Sequence, residues 1–107
     1  MSKKIIMFYV PVGTQKQATE LTESLINKRL AACVQVHEAD SSYAWKGVFN
    51  REKEWILTIK TSLKKQKDCY QFLKQNHPYE LPCIIWRAVE VNQEYQQWVK
   101  DQLKTLF

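Results

Sequence analysis

The segment from Ala32 to Thr61 most constrains what this chain can fold into. From Ala32 the pattern has a period of two: Ala32, Val34 and Val36 point one way, and Cys33, Gln35 and His37 the other. A polar stretch, Glu38 to Ser42, is expected to interrupt this strand before it resumes at Tyr43 and Trp45. Gly47 is the natural bend or bulge. Val48 to Thr61 then runs back, with Trp55, Leu57 and Ile59 alternating against Ile56, Thr58 and Lys60. The hairpin is far longer than the other strands the sequence offers, Ile5 to Val10 and Pro82 to Val89. Its projecting half would carry unpaired backbone edges and exposed Tyr43, Trp45 and Trp55. Such edges need covering, and pairing with another subunit covers them, so an oligomer is expected.

The flanking elements fit around that hairpin. Ile5 to Val10 is a short apolar run that reads as a buried strand stopped by Pro11 and Gly13. Thr14 followed by Gln17 is a capping box, and Ala18, Leu21, Leu25, Ile26 and Leu30 recur at helical spacing behind it. A second helix is expected from Leu63 to Asn76, with Cys69, Phe72 and Leu73 on its apolar side. Pro82 to Val89 is apolar on both faces, which predicts a central strand. Asn92 is placed to cap a last helix whose stripe is Tyr95, Trp98, Val99 and Leu103. The order strand, helix, strand, strand, helix, strand predicts an α+β fold: a ferredoxin-like βαββαβ unit with an appended C-terminal helix. Right-handed crossovers put the two main helices on one face of an antiparallel sheet. Residues 1–107 read as a single domain with one core.

Charge and cysteine content bound the function. The 107 residues carry a net charge of +5, which favours anionic partners without defining a site. The lysines are dispersed, and only Lys64-Lys65-Gln66-Lys67 forms a cluster, which reads as a solvated face. A basic RNA-recognition module would share this fold, but its sheet needs a Lys/Arg-Gly-Phe/Tyr type of string that Trp55 to Thr61 lacks. No nucleic-acid partner is therefore expected. No apolar run is long enough to span a membrane, and the opening residues read as a first strand, not a signal peptide. Cys33, Cys69 and Cys83 are odd in number and lack Cys-x-x-Cys spacing, so free thiols and a cytoplasmic location are expected.

The chemistry-bearing residues do not form a linear motif. Cys33 and His37 share a strand face but stand about 13 Å apart by strand rise, too far to share one ion. His77 ends the second helix beside Pro78, where a loop near a cleft would place a ligand and the helix dipole would favour His⁺. Tyr43, Trp45, Lys60, Tyr79 and Glu80, with His77, could line a pocket at a subunit interface that takes a small anion or a metal. Packing between subunits is the simpler role for the same aromatics. No nucleophile elbow or His-Glu-x-x-His is present, and Glu54 with Glu80 has no identifiable perturbing neighbour, so a non-enzyme is expected.

Five strings occur in order: Lys28-Arg-Leu-Ala-Ala-Cys-Val34, Tyr43-x-Trp45-x-Gly47, Glu54-x-x-Leu57-x-Ile59-Lys60-Thr61, His77-Pro-Tyr-Glu-Leu-Pro82 and Tyr95-x-x-Trp98. Together they resemble the CutA family of divalent-cation tolerance proteins over about residues 5 to 103. The resemblance implies a PII-like homotrimer assembled by inter-subunit strand pairing and a role in the response to copper or another divalent cation. The chain departs from the family pattern at Glu38-Ala39, where Pro-Gly is usual, and at Cys83, where Glu is common. The copper ligands proposed in some members match Tyr9, Asn76 and His77, of which only His77 retains a metal-binding side chain. The metal candidates on this chain are accordingly His77, Cys33 and Cys83.

Overall fold

The computed structural model describes residues 3–104. Its order is β1 (Lys3–Val12), α1 (Gln15–Asn27), β2 (Cys33–Trp45), β3 (Val48–Thr61), a single 3-10 turn (Leu63–Lys65), α2 (Gln66–Asn76), β4 (Ile85–Val91) and α3 (Gln93–Gln102). The four strands form one sheet in the order β2-β3-β1-β4, with every neighbouring pair antiparallel. This is the ferredoxin-like α+β arrangement with an appended helix.

Strand alternation sorts the core into two layers. Ile6, Phe8, Val10 and Val12 of β1 join Leu57 and Ile59 of β3 on one face, where Ala18, Leu21 and Leu25 of α1 and Cys69 and Leu73 of α2 cover them. Ile5 points the other way and is covered by Val99 of α3 and the following Leu103. Thr14 caps α1: its backbone is extended and its hydroxyl accepts the Gln17 N–H at 3.1 Å. Gln17 Oε1 is buried and does not reach back, so only half of the expected capping box forms. The helix ends on Arg29 in the left-handed region (φ 56), which turns the N–H groups of Leu30 and Ala31 back to the Leu25 carbonyl.

Several local expectations are corrected. Glu38 to Ser42 does not break the second strand, because β2 runs unbroken and pairs with β3 from Cys33 through Trp45. The fourth strand begins at Ile85 and lies at an edge, not the centre; its Ile85 and Trp86 stay 54% and 42% exposed. Apolar residues on both faces therefore do not report central burial within one chain. Ile26 and Trp98 leave their helical stripes and are exposed. Trp55 is half-buried against the main core instead of lying on an exposed ribbon. Asn92 stands at the start of α3 but makes no side-chain capping bond.

The long hairpin is real. β1 reaches β3 only between Trp55 and Thr61, so Val48 to Glu54 pair with β2 alone and form a two-stranded ribbon. The described residues extend 46 × 30 × 21 Å. A two-residue turn closes the ribbon between Trp45 and Val48, with Lys46 at φ 51 and Gly47 at φ 80. Both positive φ values fit a type I′ turn, whose twist matches that of the strands. A Cβ at Gly47 would meet nothing within 4 Å, so glycine is favoured there by backbone angle and not by space.

Candidate functional site

Where the ribbon leaves the body, the loop after α2 packs against Pro11 and Gly13 at the end of β1. Two histidine contacts hold it there. The Tyr79 N–H donates to His77 Nδ1 at 3.1 Å, and His77 Nε2 lies 2.7 Å from the Pro11 carbonyl. With Nδ1 accepting, Nε2 must carry the hydrogen and donate it to Pro11, which assigns a neutral tautomer. Burial pushes the His77 pKa below its ordinary 6.5, against the smaller opposing pull of Pro11 and Glu54. Both ring nitrogens are thus occupied within the chain. The loop's anchored Tyr79 then donates its hydroxyl to Glu54 Oε2 at 2.7 Å. Burial first, and the Glu54 hydrogen bond second, raise the Tyr79 pKa strongly, so the phenol remains a donor. Gly13 allows this approach, because a Cβ there would lie 3.2 Å from the Tyr79 hydroxyl.

The loop and ribbon enclose a cavity of about 340 Å³. Tyr43, Trp45 and Tyr79 supply aromatic walls, while Glu52, Glu54 and Glu80 supply carboxylates, and among the described residues no lysine or arginine lines it. Tyr43 donates to Glu52 Oε2 at 3.0 Å, a diagonal cross-strand contact that raises the phenol's pKa. Glu54 is only 9% exposed, yet no Lys, Arg or His forms an ion pair with it among the described residues. Burying a carboxylate without a cation is costly, and one tyrosine hydroxyl offsets only part of that cost. Cys83 also lines the cavity, its thiol pKa raised by burial and then by Glu54.

The structure therefore gathers Tyr43, Trp45, Tyr79, Glu80 and Cys83 around the cavity, keeps His77 outside its lining, and leaves out two further candidates, Lys60 and Cys33. Lys60 stands six residues beyond Glu54 on β3, about 20 Å away by strand rise, with its Nζ 5.4 Å from the Tyr95 ring. Cys33 pairs in register with Lys60 and so lies equally far from Glu54 along the hairpin. Without Lys60, the cavity's charge opposes the small anion that the sequence suggested. Among the described residues, no group of three His, Cys, Asp or Glu side chains converges closely enough to hold a metal. The sequence reading missed Glu52 and treated Glu54 only as a possible acid. Period-two alternation places both on the face that carries Tyr43 and Trp45, and that was the available signal.

The fold and this pocket define a class: a small ferredoxin-like α+β protein with a projecting central ribbon and an acidic, aromatic cleft at the ribbon's root. The chain belongs to the CutA1 divalent ion tolerance protein family, whose model matches residues 6–102. It is 37% identical over 100 residues to the divalent-cation tolerance protein CutA of Thermotoga maritima, covering 92% of this chain and 99% of that protein. It is 35% identical over 95 residues to human protein CutA, covering 87% of this chain and 53% of the human one. The crystal structure of CutA1 from Pyrococcus horikoshii superposes with a TM-score of 0.89 at 28% identity, covering 94% of this chain and 99% of that one. CutA from Synechococcus elongatus gives 0.88 at 28% identity, covering 97% and 95% respectively.

Proposed function

We propose that this protein acts in tolerance of divalent cations, as a homotrimer closed by strand pairing between copies, with the acidic pocket as the place where a cation is received. The observation that carries the site is Glu54, a residue only 9% exposed whose carboxylate has no cationic partner among the described residues. Glu52 and Glu80 supply further oxygen donors, and Cys83 adds a softer one that suits copper or zinc. The carboxylates do not close a cage within one chain, so water or a neighbouring copy completes the coordination. The occupied nitrogens of His77 make it a positioning residue for Tyr79 in this reading.

Assembly is supported by the ribbon itself. An isolated two-stranded hairpin is marginal in water, and Val48 and Phe49 near its tip are 61% and 68% exposed. The edge strands β2 and β4 offer further unpaired backbone. The family relation and the absence of any recognisable catalytic motif support a binding role over an enzymatic one. Three free cysteines support residence in the reducing cytoplasm.

Native mass spectrometry of the reduced protein tests the assembly: three copies of 12.7 kDa give about 38 kDa, and a monomer would refute the trimer. Calorimetric titration with Cu²⁺ and Zn²⁺ tests the pocket. Saturable binding lost in Glu54→Gln is expected; equal affinity in the variant would place the cation elsewhere. Because the Cys83 thiol must lose its proton to ligate, uptake through it should strengthen as pH rises.

A further inference from the structure

Lys64 and Lys65 of the lysine cluster line a second cavity, remote in chemistry from the first. Its volume is about 800 Å³, within the range of small-molecule sites. Five lysines line it: Lys64 and Lys65 from the 3-10 turn, Lys4 from β1, and Lys100 and Lys104 on and just after α3. No carboxylate lines it among the described residues. The neighbouring acids leave most of this charge in place. Asp101 holds Lys104 at 3.1 Å, and Glu90 is the register partner of Lys4 on β4. Lys64, Lys65 and Lys100 belong to no ion pair among the described residues. Lys65 is half-buried, its backbone N–H fixed by the Ser62 hydroxyl at 3.3 Å, so the turn carrying Lys64 and Lys65 is anchored. Ile5, Val99 and Leu103 form an apolar floor, with exposed Leu63 at its rim.

Five cations drawn from three separate elements around one concave surface repel one another unless a counter-ion is shared among them. A single carboxylate or monophosphate could satisfy one or two, whereas a chain of phosphates can span the set. We propose that this cavity binds multivalent phosphate anions. The lysines act as point-charge donors to the phosphate oxygens, and the apolar floor receives any organic group the phosphates carry. This site is independent of the acidic pocket and carries the opposite sign.

The test is calorimetric titration of the reduced, chelator-treated protein with inorganic tripolyphosphate, orthophosphate and a nucleoside triphosphate, each at two salt concentrations. Chelation separates this binding from any metal in the acidic pocket. Tripolyphosphate is expected to saturate at one per chain, to bind far more tightly than orthophosphate, and to weaken steeply with salt. Lys64→Gln and Lys100→Gln, both exposed and free of structural contacts, should each weaken it about threefold. Tighter binding of the nucleoside triphosphate would identify a phosphorylated organic ligand that uses the floor, and equal binding an inorganic one. Absence of saturation at millimolar tripolyphosphate would overturn the proposal. So would equal weakening by Lys74→Gln, an exposed lysine outside the cavity.

Discussion

One strand, β3, belongs to two different environments. From Trp55 to Lys60 it is sandwiched between β1 and β2, and Ile56, Leu57 and Ile59, with the following Thr61, are at most 1% exposed. From Val48 to Lys53 it has one partner strand, and every side chain is half-buried or exposed. The same period-two pattern and β-propensity serve both halves. What differs is the number of neighbours, and that number decides whether a side chain enters the core or stays at the surface. Glu54 sits at the changeover, close enough to the body to be buried and close enough to the ribbon to face a cleft.

The contrast can be broken by substitution. Leu57→Ala, in the body, should cost about 2–5 kcal/mol, measured by urea denaturation. Gly47→Ala, at the ribbon's tip, forces a methyl group into a left-handed angle and should cost about 1–2 kcal/mol, with no loss of packing. The pH dependence at the junction comes next. Because the folded pKa of His77 lies below the unfolded value near 6.5, the unfolded chain binds more protons between the two. Stability is held above pH 6.5 and lost as pH falls through that window to the folded pKa. Protonation of Nδ1 would also remove its bond to Tyr79. His77→Gln should flatten this fall when urea midpoints at about pH 7.5 and 5.5 are compared, and an unchanged fall would assign it to other groups. Phe49→Ser, on the ribbon, should change the stability of the chain itself by less than about 0.5 kcal/mol, yet weaken assembly on dilution in sedimentation. A large loss of stability in the dissociated chain would show that the ribbon behaves like the body.

Much of the fold was legible because its signals are local and redundant. Thr14 before Gln17, the glycine at 47 and the alternation from Val48 to Thr61 each point to one element. β4 was misplaced because apolarity on both faces does not distinguish a strand buried within a chain from one at its edge with large exposed side chains. Glu38 to Ser42 was misread because a strand in an exposed ribbon needs no apolar face to stay paired. The pocket was half legible: Tyr43, Trp45, Tyr79 and Glu80 share it, while Lys60 fails by distance along a single strand. The lysine cavity was least visible, since it joins residues near both ends of the chain with a turn in its middle, a juxtaposition only folding creates.

The type I′ turn at Lys46-Gly47 also sets an order of events. Contacts across the ribbon join residues close in sequence, whereas Ile6 must find Thr61 over an intervening helix and hairpin. Hairpins of this kind close in about 1–10 μs, well before pairings of high contact order. The ribbon is therefore expected to pair before β1 docks, and to stay marginal until that docking completes the sheet. During that interval the nascent chain presents an open strand edge to its neighbours, so refolding yield should fall as protein concentration rises.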